Sequence, residues 1–134
     1  MDLKYLLIPF LAAVLSQIVK TIIEYIRYKK FDIERFIDGM GGMPSTHSAL
    51  VASLTTMVYL NYGVDSVIFA ITLFFSLITI SDAMGVRYES ELQAKAINKI
   101  ANTTLKEKLG HKPVEALVGV LFGIVVTLLL NSIL

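Results

Sequence analysis

Four apolar stretches, each close to the roughly 17–25 residues a helix needs to cross a bilayer, dominate this chain. They run approximately over 3–26, 46–62, 64–83 and 113–134. The second is the shortest and is rich in Ser and Thr. It is joined to the third by Asn61-Tyr62-Gly63-Val64-Asp65, a turn so short that the two must run antiparallel. Of the 134 residues, 55% are hydrophobic and 17% charged, against about 45–50% and 25% in soluble domains. A domain of this length has too little interior to hide that excess from water. The pattern therefore predicts one transmembrane domain over 1–134, an all-α integral membrane bundle of about four spanning helices. The first stretch is not expected to be a signal peptide. It is too long, is interrupted by Ser16, Gln17 and Lys20, and lacks a small-residue cleavage site.

Two polar connections, 27–45 and 86–112, separate the spans. Within 88–109, Leu92, Ala96, Ile97, Ile100 and Leu105 recur at mostly helical spacing with Lys95, Lys99 and Lys106 between them. One or two amphipathic pieces at the membrane interface are expected there. Alternating spans put both connections on one side, together with eleven of the twelve Lys and Arg residues, whereas Lys4 lies on the other. The positive-inside bias then places the connections in the cytoplasm, on a multi-pass protein of the cell (inner) membrane. A net charge of +1 gives no pull towards nucleic acid, and the absence of cysteine removes thiol chemistry.

Polar residues that could carry chemistry gather on that side. Gly41-Gly42-Met43-Pro44-Ser45-Thr46-His47-Ser48-Ala49 reads as a glycine-rich loop entering a capped helix. Its first-turn N–H groups suit an anion, with His47 beside it, although a capped helix start bearing a surface histidine reads equally well. His111 precedes Pro113, and Glu115, four residues on, could hold one ring nitrogen and leave the other as a nucleophile. Helix capping by the same residues is the alternative. Lys20 lies about a turn and a half inside the first span with Gln17 near it, a costly place for an ionisable group unless it faces a protein interior. Arg27, seven residues later, is near the same face, where snorkelling would also account for it. Asp82 and Arg87 close the third span, either as an ion pair or with Arg87 as a phosphate clamp.

Together these pieces resemble the type 2 phosphatidic-acid phosphatases and vanadium-dependent haloperoxidases, most closely their divergent bacterial membrane branch. That family's pattern is Lys, six residues, Arg-Pro; then Pro-Ser-Gly-His; then Ser-Arg, five residues, His, three residues, Asp. Lys20, six residues, Arg27 matches the first part, with Tyr28 for Pro. Pro44-Ser45-Thr46-His47 matches the second, with Thr46 for Gly. In the third, Arg87 stands for Arg and His111 with Glu115 for His and Asp, but 23 residues separate Arg87 from His111. Keeping the five-residue spacing would instead put Gln93 at the histidine position, and glutamine cannot form a phospho-enzyme. Gly119 and Gly123, a small-xxx-small pair, fit close helix packing in the last span.

The resemblance implies hydrolysis of a lipid phosphate or diphosphate at the cytoplasmic leaflet. His111 would form a phosphohistidine, Glu115 would fix its tautomer and His47 would protonate the leaving alkoxide. Lys20, Arg27, Arg87, Ser45 and Thr46 would hold the phosphate, with Asp82, Gln17 and Gln93 behind them. No metal or other cofactor is expected. The expected partners are the lipid substrate, membrane lipids and a further copy of the chain in a homo-oligomer, with no nucleic acid. Two other readings stand beside this one: an inactive phospholipid- or phosphate-binding membrane protein, and a small transporter or channel subunit with Lys20, Asp82 and the histidines along an ion path. Haloperoxidase activity would need bound vanadate, and nothing in the chain selects a halide.

Overall fold

The fold follows from where the small residues fall. In a computed structural model, which describes residues 3–29, 33 and 41–134, the helices are α1 (Lys4–Tyr28), α2 (Thr46–Tyr62), α3 (Val67–Met84), α4 (Val86–Ala101) and α5 (Pro113–Ile133). Lys30 and Arg35, counted above with the basic residues of the first connection, lie outside the described residues. Three helical stretches are long and apolar enough to cross a membrane: Lys4–Tyr28, Val67–Ala101, which joins α3 to α4, and Pro113–Ile133. With 17 residues, α2 is about 25 Å long, short of that length.

It is α2 that occupies the centre, packed on α1, α3 and α5. The Ser and Thr content that makes it a poor lipid-facing span suits this place. Gly119 lies against Ser45 and Ser48, and Gly123 against the backbone of Ala49, so closely that a Cβ at either glycine would collide with a carbonyl oxygen. Removing side chains at those points lets two helix backbones touch. The hydroxyls find partners across the same contacts: Ser53 with Thr127 at 2.5 Å, Thr55 with Ser76 at 2.7 Å, and Ser76 donating to the Val51 carbonyl at 3.1 Å. In an interior without water, unpaired hydroxyls would be costly.

These contacts also set direction. Ser45, Ala49 and Ser53 meet Gly119, Gly123 and Thr127 in order, so α2 and α5 run parallel. Thr46 bonds Lys20 while the Tyr62 and Tyr5 rings lie 5.9 Å apart, so α1 is antiparallel to α2. The outward faces carry large apolar side chains, among them Phe10, Ile71, Phe74, Ile78, Leu121 and Leu129, all exposed. Such a belt faces hydrocarbon, not water.

Local signals mark helix starts, Ser45 and Pro113 where the sequence suggests, while the third apolar stretch, read from Val64, becomes helical only at Val67. Ser45 caps α2 by accepting from the Ser48 N–H, and Ser66 caps α3 by accepting from the Phe69 N–H. Pro113 opens α5. The helical pattern read through Leu105 and Lys106, however, stops at Ala101, where Asn102 turns left-handed at φ 56°. Beyond it the chain doubles back, because Asn98 holds the returning segment with its whole amide. Its Nδ2 donates to the Leu105 carbonyl and to Glu107 Oε1, both at 2.8 Å, and its Oδ1 accepts from Thr103 Oγ1 at 2.6 Å and the Leu105 N–H at 2.8 Å.

Candidate functional site

The doubling-back decides where His111 falls. At its end the Gly110 N–H donates to Glu91 Oε2 at 3.2 Å, and Gly110 sits on the Tyr88 backbone with no room for a Cβ. The next N–H, of His111, donates to the Ala83 carbonyl at 3.0 Å. The 23 residues after Arg87 thus run out along α4 and return, so His111 arrives beside the junction of α3 and α4. Its ring centroid lies 6.4 Å from that of His47 in the first turn of α2.

His111 is 1% exposed. Its Nδ1 lies 3.3 Å from Glu115 Oε2, which also accepts from the Lys112 N–H at 3.1 Å. His111 precedes the helix that carries Glu115, and the two still meet. Because a carboxylate only accepts, the contact assigns the proton to Nδ1 and leaves the Nε2 lone pair open. Nε2 is buried without a hydrogen-bond partner among the described residues. Burial first and the Lys20 charge second hold the His111 ring below its ordinary 6.5, against the opposing pull of Glu115, and so favour the neutral imidazole.

His47 presents the complementary arrangement. Arg87 NH1 lies 3.4 Å from its Nε2, and since a guanidinium only donates, Nε2 accepts. Nδ1 of His47 is buried and, among the described residues, unpartnered. Arg87 also donates from Nε to Asp82 Oδ2 at 3.1 Å. The ion pair with Asp82 is thus present, and the same guanidinium reaches His47. The half-exposed ion pair adds little stability, but it orients a guanidinium towards an imidazole.

Lys20, 3% exposed within α1, donates from Nζ to Thr46 Oγ1 at 3.2 Å, and that hydroxyl donates to Gln17 Oε1 at 2.9 Å. Its charge is thus set beside the start of α2, where the Thr46 and His47 N–H groups have no intrahelical acceptors. Ser45 holds a different post. Its side chain is taken by the cap and by Ser48 Oγ at 3.0 Å, and its N–H donates to the Glu115 carbonyl at 3.2 Å, tying the starts of α2 and α5 together. Gln93 lies on the exposed face of α4, so the five-residue spacing does not bring it to the imidazoles. Arg27, exposed at the end of α1, lines a neighbouring cleft of about 270 Å³ with Lys112 and Glu115. Among the described residues no three His, Asp or Glu side chains are grouped to hold a metal ion. Gly110 reads from the sequence as the end of a segment before Pro113, but the part that Asn98, Glu91 and Gly110 play in placing His111 does not; a helix stop at Asn102-Thr103-Thr104 was the available hint.

Over residues 1–126 the chain matches the divergent PAP2 family. The chain belongs to that family. It is also similar to the uncharacterized membrane protein YuiD of Bacillus subtilis (strain 168), 38% identical over 146 residues that cover 93% of this chain and 92% of the relative. No solved structure matches it. The region matched to the divergent PAP2 family contains both histidines, Glu115, Lys20, Arg27 and Arg87, the residues on which the resemblance was built.

Proposed function

We propose that this member of the divergent PAP2 family is a membrane-embedded phosphohydrolase that acts on a lipid phosphate through a phosphohistidine at His111, on the cytoplasmic face. The observation that carries the reading is the pair of imidazoles, one buried and one half-buried, each with one nitrogen held by a charged side chain and the other, among the described residues, unpartnered.

The lone pair of His111 Nε2 attacks phosphorus, the bond to the leaving alkoxide breaks, and Glu115 stabilises the charge that develops at Nδ1–H. A phosphate monoester that enters as the monoanion draws the Arg87 guanidinium from His47 onto its own oxygens, the freed His47 Nε2 takes up the proton the monoester carries, and His47 passes it to the leaving oxygen. Water then attacks the phosphohistidine, His47 takes its proton, and phosphate leaves with His111 restored. Lys20, Arg87 and the first-turn amides of α2 offset the charge on the equatorial oxygens, where most of the catalysis of phosphoryl transfer resides. Lys20 lies seven residues inside Arg27, about 10 Å along the helix. This depth suits a headgroup whose tails stay in hydrocarbon. The lysines and arginines at this end favour the cytoplasm.

The test is phosphate release from lipid phosphates by the purified chain beside His111→Ala and His47→Ala. Release by the wild type with an acid-labile phosphoprotein, absent from His111→Ala, is the expected result. Equal release from all three preparations rejects the reading in favour of an inactive phosphate-binding protein.

A further inference from the structure

The cleft next to the imidazole pair shares Glu115 with it and is otherwise built from different residues. Arg27 and Tyr28 close the end of α1, Gly41 and Gly42 form one edge, and Lys108 and Lys112 belong to the segment around His111. None of its walls is His47, His111, Lys20 or Arg87. Arg27 lies about 10 Å beyond Lys20 along α1, so the cleft is on the outer side of the pair, towards the end of the bundle.

Three cations and three carboxylates line it, and the carboxylates are engaged. Of the three carboxylates on its walls, Glu91 is bonded to Lys95 and the Gly110 N–H, and Glu115 to His111 and the Lys112 N–H. Glu24 is turned against Gly42, beside the Lys20 stem. Lys108 Nζ stands 5.3 Å over the Tyr28 ring. Arg27 and Lys112, from separate elements, stand without an ion pair among the described residues, Lys108 is held near them, and the three carboxylates that share the walls each have partners of their own. The cleft's volume lies just under the range of drug-sized sites, so it fits a small headgroup or ion.

We propose that this cleft is a second oxyanion site, separate from the imidazole pair, which binds a phosphate group through Arg27 and Lys112 with Lys108 beside them. Its role as the station for released phosphate rests on the function proposed above; its capacity to bind phosphate does not. A planar guanidinium and two ammonium groups match a tetrahedral oxyanion that arrives from, or departs to, water.

Calorimetric titration of the full chain in neutral phosphatidylcholine nanodiscs with inorganic phosphate tests this. Phosphate binding is expected to survive in the His47→Ala/His111→Ala double variant. It is expected to weaken at least about tenfold when Lys108→Gln and Lys112→Gln are added to that background, the loss expected of one charged hydrogen bond. Circular dichroism of each variant reports whether the helices remain. Abolition of binding by the histidine changes in a folded chain, or affinity within twofold after the lysine changes, overturns the proposal. A repeat in discs containing phosphatidic acid distinguishes the source: competition assigns the site to a lipid headgroup, unchanged affinity to free phosphate, and both support it. Failure of the function reading would appear separately, as no phosphate release by the wild type.

Discussion

At the scale of single residues, the account turns on which imidazole nitrogen is held and which is open. Glu115→Gln keeps the size of the side chain but removes the carboxylate that fixes the Nδ1 proton of His111. Phosphate release is expected to fall between about 10²- and 10⁴-fold, with far less change in KM. The pH profile gives a second check. A nucleophilic imidazole must be neutral, and His111 is held below 6.5 by burial and by Lys20. The acid-side decline of the rate should therefore be centred below 6.5. In Glu115→Gln, which removes the opposing charge, that decline should move further to the acid side; a decline centred at or above 6.5 in the wild type would contradict the burial argument. His47, Lys20 and Arg87 were legible as residues, because a charge within an apolar span and a histidine after Pro-Ser stand out in any sequence. The Asp82 partner of Arg87 was legible too, but the contacts of Gln17 with Thr46 and of Arg87 with His47 were not, since these meet only through packing between helices.

At the scale of elements, hydropathy placed the four apolar helices, three of which, among the described residues, are long enough to cross a membrane, because a membrane helix needs length and apolarity and little else. It could not show that the shortest span is the central one. That depends on Gly119 and Gly123 fitting against Ser45 and Ala49. Gly123→Leu is expected to separate α2 from α5 and lower the melting temperature in detergent, an overpacking cost of about 1–3 kcal/mol or more. Gly63, whose Cβ would meet open space, is strained on substitution only by its φ of 72°, so Gly63→Ala should cost about 1–2 kcal/mol. The returning segment was the least legible element, because the apolar spacing carried through Leu105 while the backbone turned at Asn102. Asn98→Ala removes four hydrogen bonds that direct this return. It should lower kcat while leaving the melting temperature of the bundle close to that of the wild type, since α4 packs on α3 alone among the helices.

At the scale of the whole molecule, the arrangement gathers helix ends from α1, α2, α4 and α5 into one basic end of a bundle otherwise coated with apolar side chains. The chain has no cysteine, so single introduced thiols report sidedness without background. Lys99→Cys is expected to react with an impermeant maleimide only after the cytoplasmic face is exposed, and Ser132→Cys only from the opposite face; the reverse pattern would invert the orientation. The central claim is that two imidazoles, a buried lysine and an arginine enclose one tetrahedral anion. A structure with bound vanadate or tungstate tests it most directly. The account predicts the anion between His47 and His111, within bonding distance of His111 Nε2 and in contact with Lys20 and Arg87. An anion found elsewhere, with the space between the two rings empty at saturating concentration, would contradict it.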